Sequence, residues 1–436
     1  MLSDIRKTID YARRNGLTAA AAAAAERLSD RADTYRYIPA TSLELGEQKV
    51  KSRRWKEEGR APLISVVVPR HETPPEFLSA MRASVKSQSY GSYELIETEE
   101  AGFSDNINAG VSRASGEYIG ILDHDDVLTP DALFCMAQAV IEEREAGRDP
   151  LLVYSDEDKF CEQDDGTQYF APNIKPDFNY DYLLSNNYIC HFTIVKADVV
   201  KKLGFRSRYD GAQDHDLFLR IALLAMQEAG SDVTAADGRC VHVPRVLYHW
   251  RSHGGSTAES GANKSYAFEA GKAAVMAHLE SRGIKAAVSE TMHRGFFRVN
   301  YFDDIFEARP DIGAIGGRLT DSLGRLRGGI YSAEGEVMFD GLPRGFSGGF
   351  THRAACQQDA YAVDPVCMRV RPELLKELSS EAAAIIGEAA GKTASEHTDT
   401  ERCLRLCREI RDRGYRILWD PEVEYRLGKS RTERQI

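Results

Sequence analysis

Three carboxylates fall within four residues at Asp123-His124-Asp125-Asp126, directly after the apolar run Tyr118-Ile119-Gly120-Ile121-Leu122. A strand cannot bury such a cluster, so it belongs at the strand's carboxyl end, in the loop before the next helix. In open α/β sheets ligands bind at that edge. Closely spaced carboxylates there suit a hard divalent cation with oxygen ligands, and the cation would in turn hold a diphosphate. The same residues also read as an acidic turn ahead of a helix, with Thr129-Pro130 as N-cap and first-turn proline. Taken alone, an Asp-x-Asp pair leaves both readings open.

Three other stretches carry residues able to do chemistry. The strand Leu151–Tyr154 is read as ending in Ser155-Asp156-Glu157-Asp158-Lys159, so two strands bring acids to one edge. Asp156 and Lys159 there read equally as substrate contacts or as a solvated charge cluster. Tyr209-Asp210-Gly211-Ala212-Gln213-Asp214-His215-Asp216 leads into a helix carrying Leu217, Ile221 and Leu224. Asp214 stands at that helix's start, where the dipole favours its ionised, proton-accepting form. His249-Trp250-Arg251-Ser252-His253-Gly254-Gly255-Ser256 closes a further strand and offers two imidazoles and a guanidinium.

The elements that must position these groups alternate strand and helix. Leu63–Val68 is a nearly continuous apolar run of the kind buried in a doubly covered parallel sheet, ended by Pro69. Thr73-Pro74-Pro75-Glu76 is read as a capping box opening a helix, with Phe77, Met81 and Val85 at i+4 spacing. Strand Tyr93–Glu97, helix Asp105–Ala114, strand Tyr118–Leu122 and helix Pro130–Arg144 follow. After a loop at Glu162–Asp181, strand Tyr188–Val195, helix Ala197–Leu203, strand Val241–Trp250 and helix Ala262–Arg282 complete the unit.

Residues 1–33 are expected to form a helical hairpin broken at Asn15-Gly16. Its first helix, with Arg6, Lys7, Arg13 and Arg14 beside Ile5, Ile9 and Tyr11, suits either an anionic membrane surface or packing on the main domain. Residues 34–61 read as a surface linker, 62–284 as the main domain and 285–436 as a smaller accessory lobe. Within that lobe Phe346–Gly349 reads as a flexible loop. Asp399–Leu406 echoes Asp214–Ile221, a weak hint that the lobe is a reduced second copy of the main domain.

At 436 residues the chain exceeds one comfortable core. Its net charge of −11 argues against a general nucleic-acid binder. No run approaches the roughly 20 apolar residues of a spanning helix, and the N-terminus lacks the order of a signal peptide, so a cytoplasmic protein is expected. Eight scattered cysteines without a paired ligand pattern should be reduced thiols.

With these pieces in order, the chain resembles the family 2 inverting glycosyltransferases of the GT-A fold, especially bacterial cell-surface polysaccharide enzymes. The resemblance rests on Leu63–Pro69, Asn108-Ala109-Gly110 with Ala114–Ile119, and Leu122-Asp123-His124-Asp125-Asp126. It continues through Tyr154–Lys159, Asn187-Tyr188-Ile189-Cys190-His191, Gly211-Ala212-Gln213-Asp214 and Leu247–Arg251. It implies an α/β nucleotide-sugar-binding fold, mostly parallel and flanked by helices, with the helical hairpin before it and an α+β lobe after it.

It further implies transfer of a sugar from a nucleoside-diphosphate donor to a hydroxyl of a growing, lipid-linked cell-surface glycan at the inner face of the membrane. In that reading Asp214 is the general base. Asp125 binds Mn²⁺ or Mg²⁺ directly, Asp123 reaches the ribose or the metal, and His253 is the late metal or diphosphate ligand, with His249 its competitor. Arg251 faces the leaving phosphate, and Pro69, Glu72, Glu97 and Asn108 border the donor nucleotide.

Two departures matter. The passage from the second strand to the Asp-x-Asp strand is compressed, so that Glu97 or Glu99 must stand in for the usual aspartates, and Arg70-His71-Glu72 replaces an aromatic and an asparagine. They motivate an alternative from another class, a catalytically silent glycan- or nucleotide-binding subunit of an assembly complex. A sugar nucleotidyltransferase is disfavoured, because Pro69-Arg70-His71-Glu72 lacks a glycine-rich phosphate loop. Donor base, donor sugar, acceptor and oligomeric state are not legible in the sequence.

Overall fold

The computed structural model describes residues 2–30, 35–163, 166–230, 233–252, 265–391 and 399–427. Its centre is an eight-stranded α/β sheet. The strands are β1 (Ile64–Pro69), β2 (Tyr93–Thr98), β3 (Tyr118–Ile121), β4 (Val127–Leu128), β5 (Leu152–Gln163), β6 (Gly166–Asn173), β7 (Thr193–Lys196) and β8 (Cys240–Arg251). Their order is β2-β1-β3-β7-β5-β8-β4, with β6 paired to β5. Strands β1, β2 and β3 run parallel, as do β5 and β8, while β7 lies antiparallel between β3 and β5. The carboxyl ends of β3, β5 and β8 therefore meet the start of β7 at one edge.

Helices cover both faces, as a nearly continuous apolar strand such as β1 requires, since Ile64, Val66, Val67 and Val68 are all buried. The hairpin before the sheet is α1 (Leu2–Asn15) and α2 (Leu17–Asp30), broken at Gly16 with φ +85°. The stretch expected to be a linker contains α3 (Ser42–Glu57), opened by a true capping box between Thr41 and Glu44. Its Trp55 is buried and stacks on Phe134, so α3 is part of the domain. Next come α4 (Pro75–Lys86), α5 (Phe103–Arg113) and α6 (Ala132–Glu145). The box expected at Thr73 does not form, because Pro74 takes the N-cap position, and α6 starts two residues later than Thr129-Pro130 suggested.

The loop expected at Glu162–Asp181 holds β6 and α7 (Tyr180–Ser185), and the strand expected from Tyr188 is regular only from Thr193. Then follow α8 (Ala197–Leu203), α9 (Gln213–Ala229), α10 (Val233–Asp237) and α11 (Ser265–Ser281). Among the described residues no helix is long and apolar enough to cross a membrane, and all eight cysteines are free.

Beyond α11 lie a two-stranded ribbon, β9 (Ala286–Glu290) and β10 (Phe297–Tyr301), and a second sheet around β11 (Ile312–Thr320). Strand β11 pairs antiparallel with Leu326–Gly328 and Arg369–Val370, and parallel with Arg416–Arg426. Strand β5 has the same three kinds of partner in β6, β7 and β8. In both sheets a helix precedes the parallel partner, α9 in one and Thr400–Arg411 in the other. Pro244-Arg245-Val246-Leu247-Tyr248 and Pro421-Glu422-Val423-Glu424-Tyr425 sit on those partners. The lobe thus repeats the pairing scheme of the main sheet's second half, without counterparts of β1–β3 among the described residues. Asp304 caps a short helix and pairs with Arg369 at 2.6 Å.

The hairpin is seated on this lobe. The Glu26 carboxylate accepts the backbone N–H groups of Ser347, Gly348 and Gly349 and the Ser347 hydroxyl at 2.9–3.1 Å. The loop expected to be flexible is therefore pinned. The sheet domain and lobe are joined by buried ions. Arg309, fully buried, forks onto Asp181 at 2.7 and 3.1 Å and onto Asp311 at 2.8 and 2.7 Å. Arg416 forks onto Asp237 at 2.5 and 3.1 Å and lies 3.3 Å from Asp359.

Removing a buried cation leaves its acids uncompensated. Arg309→Met should cost about 3–5 kcal/mol in urea unfolding, whereas Arg327→Ala at an exposed pair should stay within about 0.5 kcal/mol. Burial alone would raise the Asp311 carboxyl, but Arg309 pulls it well below the usual carboxylate range. Its stabilising contribution is present above the unfolded-chain value of about 3.9 and fades as pH falls below it. Acid titration should therefore destabilise the wild type more than Arg309→Met.

Candidate active site

Strand β3 delivers the acids because Gly120 leaves room for a ring. A Cβ there would stand 2.7 Å from Phe192 Cζ, and the close approach brings the start of β7 across the end of β3. The chain then turns at Asp123–Asp126, with the Asp126 N–H donating to the Asp123 carbonyl. The three acids have different fates. Asp126 is buried; it accepts the Tyr248 hydroxyl on one oxygen and the Arg251 N–H at 2.7 Å on the other. Burial first, then the charges of Asp123 and Asp125, raise its pKa well above the carboxylate range. Asp123 and Asp125 keep side chains 46% and 24% exposed. They are the two acids within reach of a ligand.

Asp214 stands as expected in the first turn of α9. One oxygen accepts the His215 N–H and the other accepts Asn187 Nδ2, both at 2.8 Å, with Cys190 Sγ at 3.8 Å. The next residue, His191, places Nε2 3.5 Å from Asp123 Oδ2. Asp123 and Asp214 therefore border one crevice, separated by the Cys190-His191 step; burial first, opposed by the His191 charge and aided by Asp125 and Asp214, raises the Asp123 pKa.

The β5 acids do not end a strand. They continue inside it and are buried, each against its own partners. Asp156 accepts His242 Nε2 and the Lys175 N–H at 2.9 Å, and Asp158 accepts His249 at 2.5 Å and the Tyr35 hydroxyl at 2.8 Å. Glu157 faces His191 Nδ1 at 3.2 Å, Asn173 Nδ2 at 3.0 Å and Lys175 Nζ at 3.7 Å. Burial opposes ionisation of Glu157, but the Lys175 charge and His191 hold its pKa at about 2. Burial likewise opposes a charged His191, yet the Glu157 hydrogen bond and the Asp123 charge lift it to about 9. Asp156 is thus neither a substrate contact nor a solvated charge, while Lys159 lies 4.8 Å over the Trp250 ring.

Other expected site residues are placed differently. His249, bound to Asp158 and edge-on to Tyr37, is turned away from the crevice and is no competitor for His253. His253 lies outside the described residues, as do all of 253–264. Arg251 is 3% exposed, its guanidinium 4.5 Å from both Phe77 and Phe160, with Nε on the Asp125 carbonyl and Nη1 on Glu162. It braces the acidic turn, and its buried Nη2 has no hydrogen-bond partner among the described residues.

Asn108, expected beside the donor nucleotide, has its amide engaged within the protein: it donates to the Phe205 carbonyl and accepts the Phe205 N–H, tying α5 to the loop after α8. Glu97 forks onto Arg82 at 2.6 Å, and Glu99 pairs with Arg70. Pro69 and Glu72 do lie at the carboxyl end of β1, Glu72 at φ +44°. The residues missed as a working unit are Glu157, Lys175 and His191. Two of them stand in quoted motifs, but Lys175 gave no signal beyond its place in an Asp/Asn/Pro-rich stretch. Among the described residues no three His, Cys, Asp or Glu side chains gather as a ready-made metal cage. Asp123 and Asp125 offer the hard oxygen donors that a cation shared with a bound phosphate needs.

Residues 75–204 match the family model described as Glycosyl transferase family 2. The chain is 35% identical over 248 residues to the protein y4gI of Sinorhizobium fredii, covering 50% of this chain and 25% of that protein. It is 31% identical over 260 residues to the O-antigen biosynthesis protein RfbC of Myxococcus xanthus, covering 53% and 19%. It is 25% identical over 222 residues to a hyaluronan synthase of Pasteurella multocida, covering 50% and 19%. The chain thus spans between 19% and 25% of the length of these relatives. Among solved structures it is similar to S. aureus TarS 1-349 in complex with UDP-GlcNAc, at 11% identity and TM-score 0.36, covering 50% of this chain and 66% of that one. It is also similar to the mannosyltransferase PcManGT of Pyrobaculum calidifontis in complex with GDP-Man and Mn²⁺, at 15% identity and TM-score 0.31, covering 55% and 71%.

The reassignment of Asn108 is testable. Asn108→Ala should destabilise the fold by about 1–3 kcal/mol, because two backbone groups lose their partners. It should leave nucleoside-diphosphate affinity by calorimetry unchanged within twofold.

Proposed function

We propose that the chain is a metal-dependent inverting glycosyltransferase that moves a sugar from a nucleoside-diphosphate donor to a hydroxyl of a growing cell-surface glycan. The observation that carries this reading is Asp214, in the first turn of α9, bordering the same crevice as Asp123 and Asp125. The family 2 match over residues 75–204 and the O-antigen relative support it.

A sugar hydroxyl is a weak nucleophile until it loses its proton. Asp214 takes that proton as the hydroxyl attacks the anomeric carbon and the nucleoside diphosphate leaves from the opposite face. The sugar is inverted by this single displacement. Asn187 holds the Asp214 carboxylate in place. Asp123 and Asp125, with His253 of the following loop, would hold Mn²⁺ or Mg²⁺. Such a cation would offset the charge appearing on the departing diphosphate. A lipid-linked acceptor at the inner face of the membrane fits this reading, and the lobe, without a counterpart of β3 among the described residues, serves acceptor binding or self-association.

A second reading, a silent glycan- or nucleotide-binding subunit, is favoured by one observation. Glu97, Glu99 and Asn108, expected to border the donor nucleotide, already have partners within the protein.

Transfer and hydrolysis assays over a panel of nucleotide sugars with Mn²⁺ or Mg²⁺ separate the two. The enzyme reading expects metal-dependent turnover abolished by chelation. Asp214→Asn should lower kcat by about 10²–10⁴-fold with little change in donor KM, and Asp125→Ala should weaken metal dependence and turnover together. Glycan binding without any metal-dependent nucleotide affinity would select the silent subunit.

A further inference from the structure

The crevice contains a histidine whose surroundings point to a role beyond the acids at the end of β3. Three contacts fix the His191 ring and its backbone. Glu157 Oε2 lies 3.2 Å from Nδ1, and the ring stacks on Tyr248 at 4.7 Å between centroids and 15° between planes. Lys175, whose side chain is fully buried, donates from Nζ to the carbonyls of Ile189 and His191. Glu157 is itself held by Asn173. A carboxylate accepts and does not donate, so Nδ1 carries the proton facing Glu157. The ring's other proton, on Nε2, faces Asp123, and an ion bound there would displace it and take the Nε2 lone pair.

The described polar neighbour of Nε2 is Asp123 Oδ2, at 3.5 Å and without hydrogen-bond geometry. Two ligands each about 2.1 Å from one ion lie about 3.0–3.5 Å apart for octahedral to tetrahedral angles. A histidine that donates its far N–H to a carboxylate is the arrangement that orients metal-ligating imidazoles and raises their basicity.

We propose that His191 Nε2 is a direct ligand of the divalent cation held by Asp123, with Glu157 as its positioning carboxylate. The inference rests on the metal-dependent reading above and adds an imidazole from the start of β7 to its donor set. Imidazole suits first-row transition ions, whereas all-oxygen sets suit Mg²⁺ and Ca²⁺. The site should accordingly prefer Mn²⁺ to Mg²⁺. Few protein ligands suffice, because substrate phosphates and water complete such a sphere.

The test is Mn²⁺ binding to the whole protein with UDP or GDP, followed by calorimetry and by pulsed electron paramagnetic resonance, which detects a directly bound imidazole nitrogen. Wild-type protein should show that nitrogen coupling. His191→Gln should lose one coupled nitrogen and at least tenfold in Mn²⁺ affinity, with a smaller loss for Mg²⁺. Glu157→Gln should retain the nitrogen while weakening Mn²⁺ by about 10–100-fold. Wild-type Mn²⁺ held by oxygen alone overturns the proposal and leaves the glycosyltransferase reading standing, with no dependence on whether a variant folds. Unchanged coupling and affinity in folded His191→Gln also overturns it. Absence of any Mn²⁺ binding with either nucleotide overturns both readings.

Discussion

The structure depends on how strand β5 buries three consecutive acids, Asp156, Glu157 and Asp158. An unpaired carboxylate in a protein interior costs several kcal/mol, and β5 carries three in the middle of the sheet. Each is met from a different direction: Asp156 by His242, Glu157 by His191 and Lys175, Asp158 by His249 and Tyr35. Two of the histidines come from β8, whose parallel register sets Tyr154 beside His242 and Asp158 beside His249. The charge pairing and the strand pairing are therefore one constraint. A register slip in β8 would move both imidazoles off their acids.

That constraint reaches the crevice through its middle member. Lys175 cannot lie near Glu157 without also holding the carbonyls of Ile189 and His191, so the irregular backbone before β7 is set by the same ion that neutralises β5. The ring of His191 then rests on Tyr248, whose hydroxyl holds Asp126, whose other oxygen takes the Arg251 N–H. Sheet, acidic turn and β8 are coupled through a short chain of polar contacts. Removing one partner leaves a buried group unsatisfied, which is why such networks give a site a single geometry.

The sequence made the regular part of this legible. Apolar runs marked β1, β3 and β8, and a helix start marked Asp214, because burial and dipole act over a few neighbouring residues. What was not legible depends on distant partners. The acids of β5 read as a strand end because nothing local to Ser155–Lys159 announces His242 or His249. Asn108 and His249 were read as site residues from motif position, yet their polar atoms face Phe205 and Asp158. The linker assignment failed for a related reason: α3 is polar along most of its length, and what fixes it is Trp55 packing on Phe134 from another helix.

The same logic separates the acids that can act from those that cannot. Asp126, Asp156, Glu157 and Asp158 are satisfied inside the protein, so their charge or proton is fixed by the fold and little is left to offer a ligand. Asp123 is half exposed and meets, in place of a tight ion pair, a histidine at 3.5 Å. Asp214 is held by an amide and a backbone N–H, neutral donors that orient a carboxylate without cancelling its charge. A carboxylate matched to a cation is a poor base. Lys175, His242 and His249 are held by the acids of β5, so none of them cancels the charge of Asp123 or Asp214.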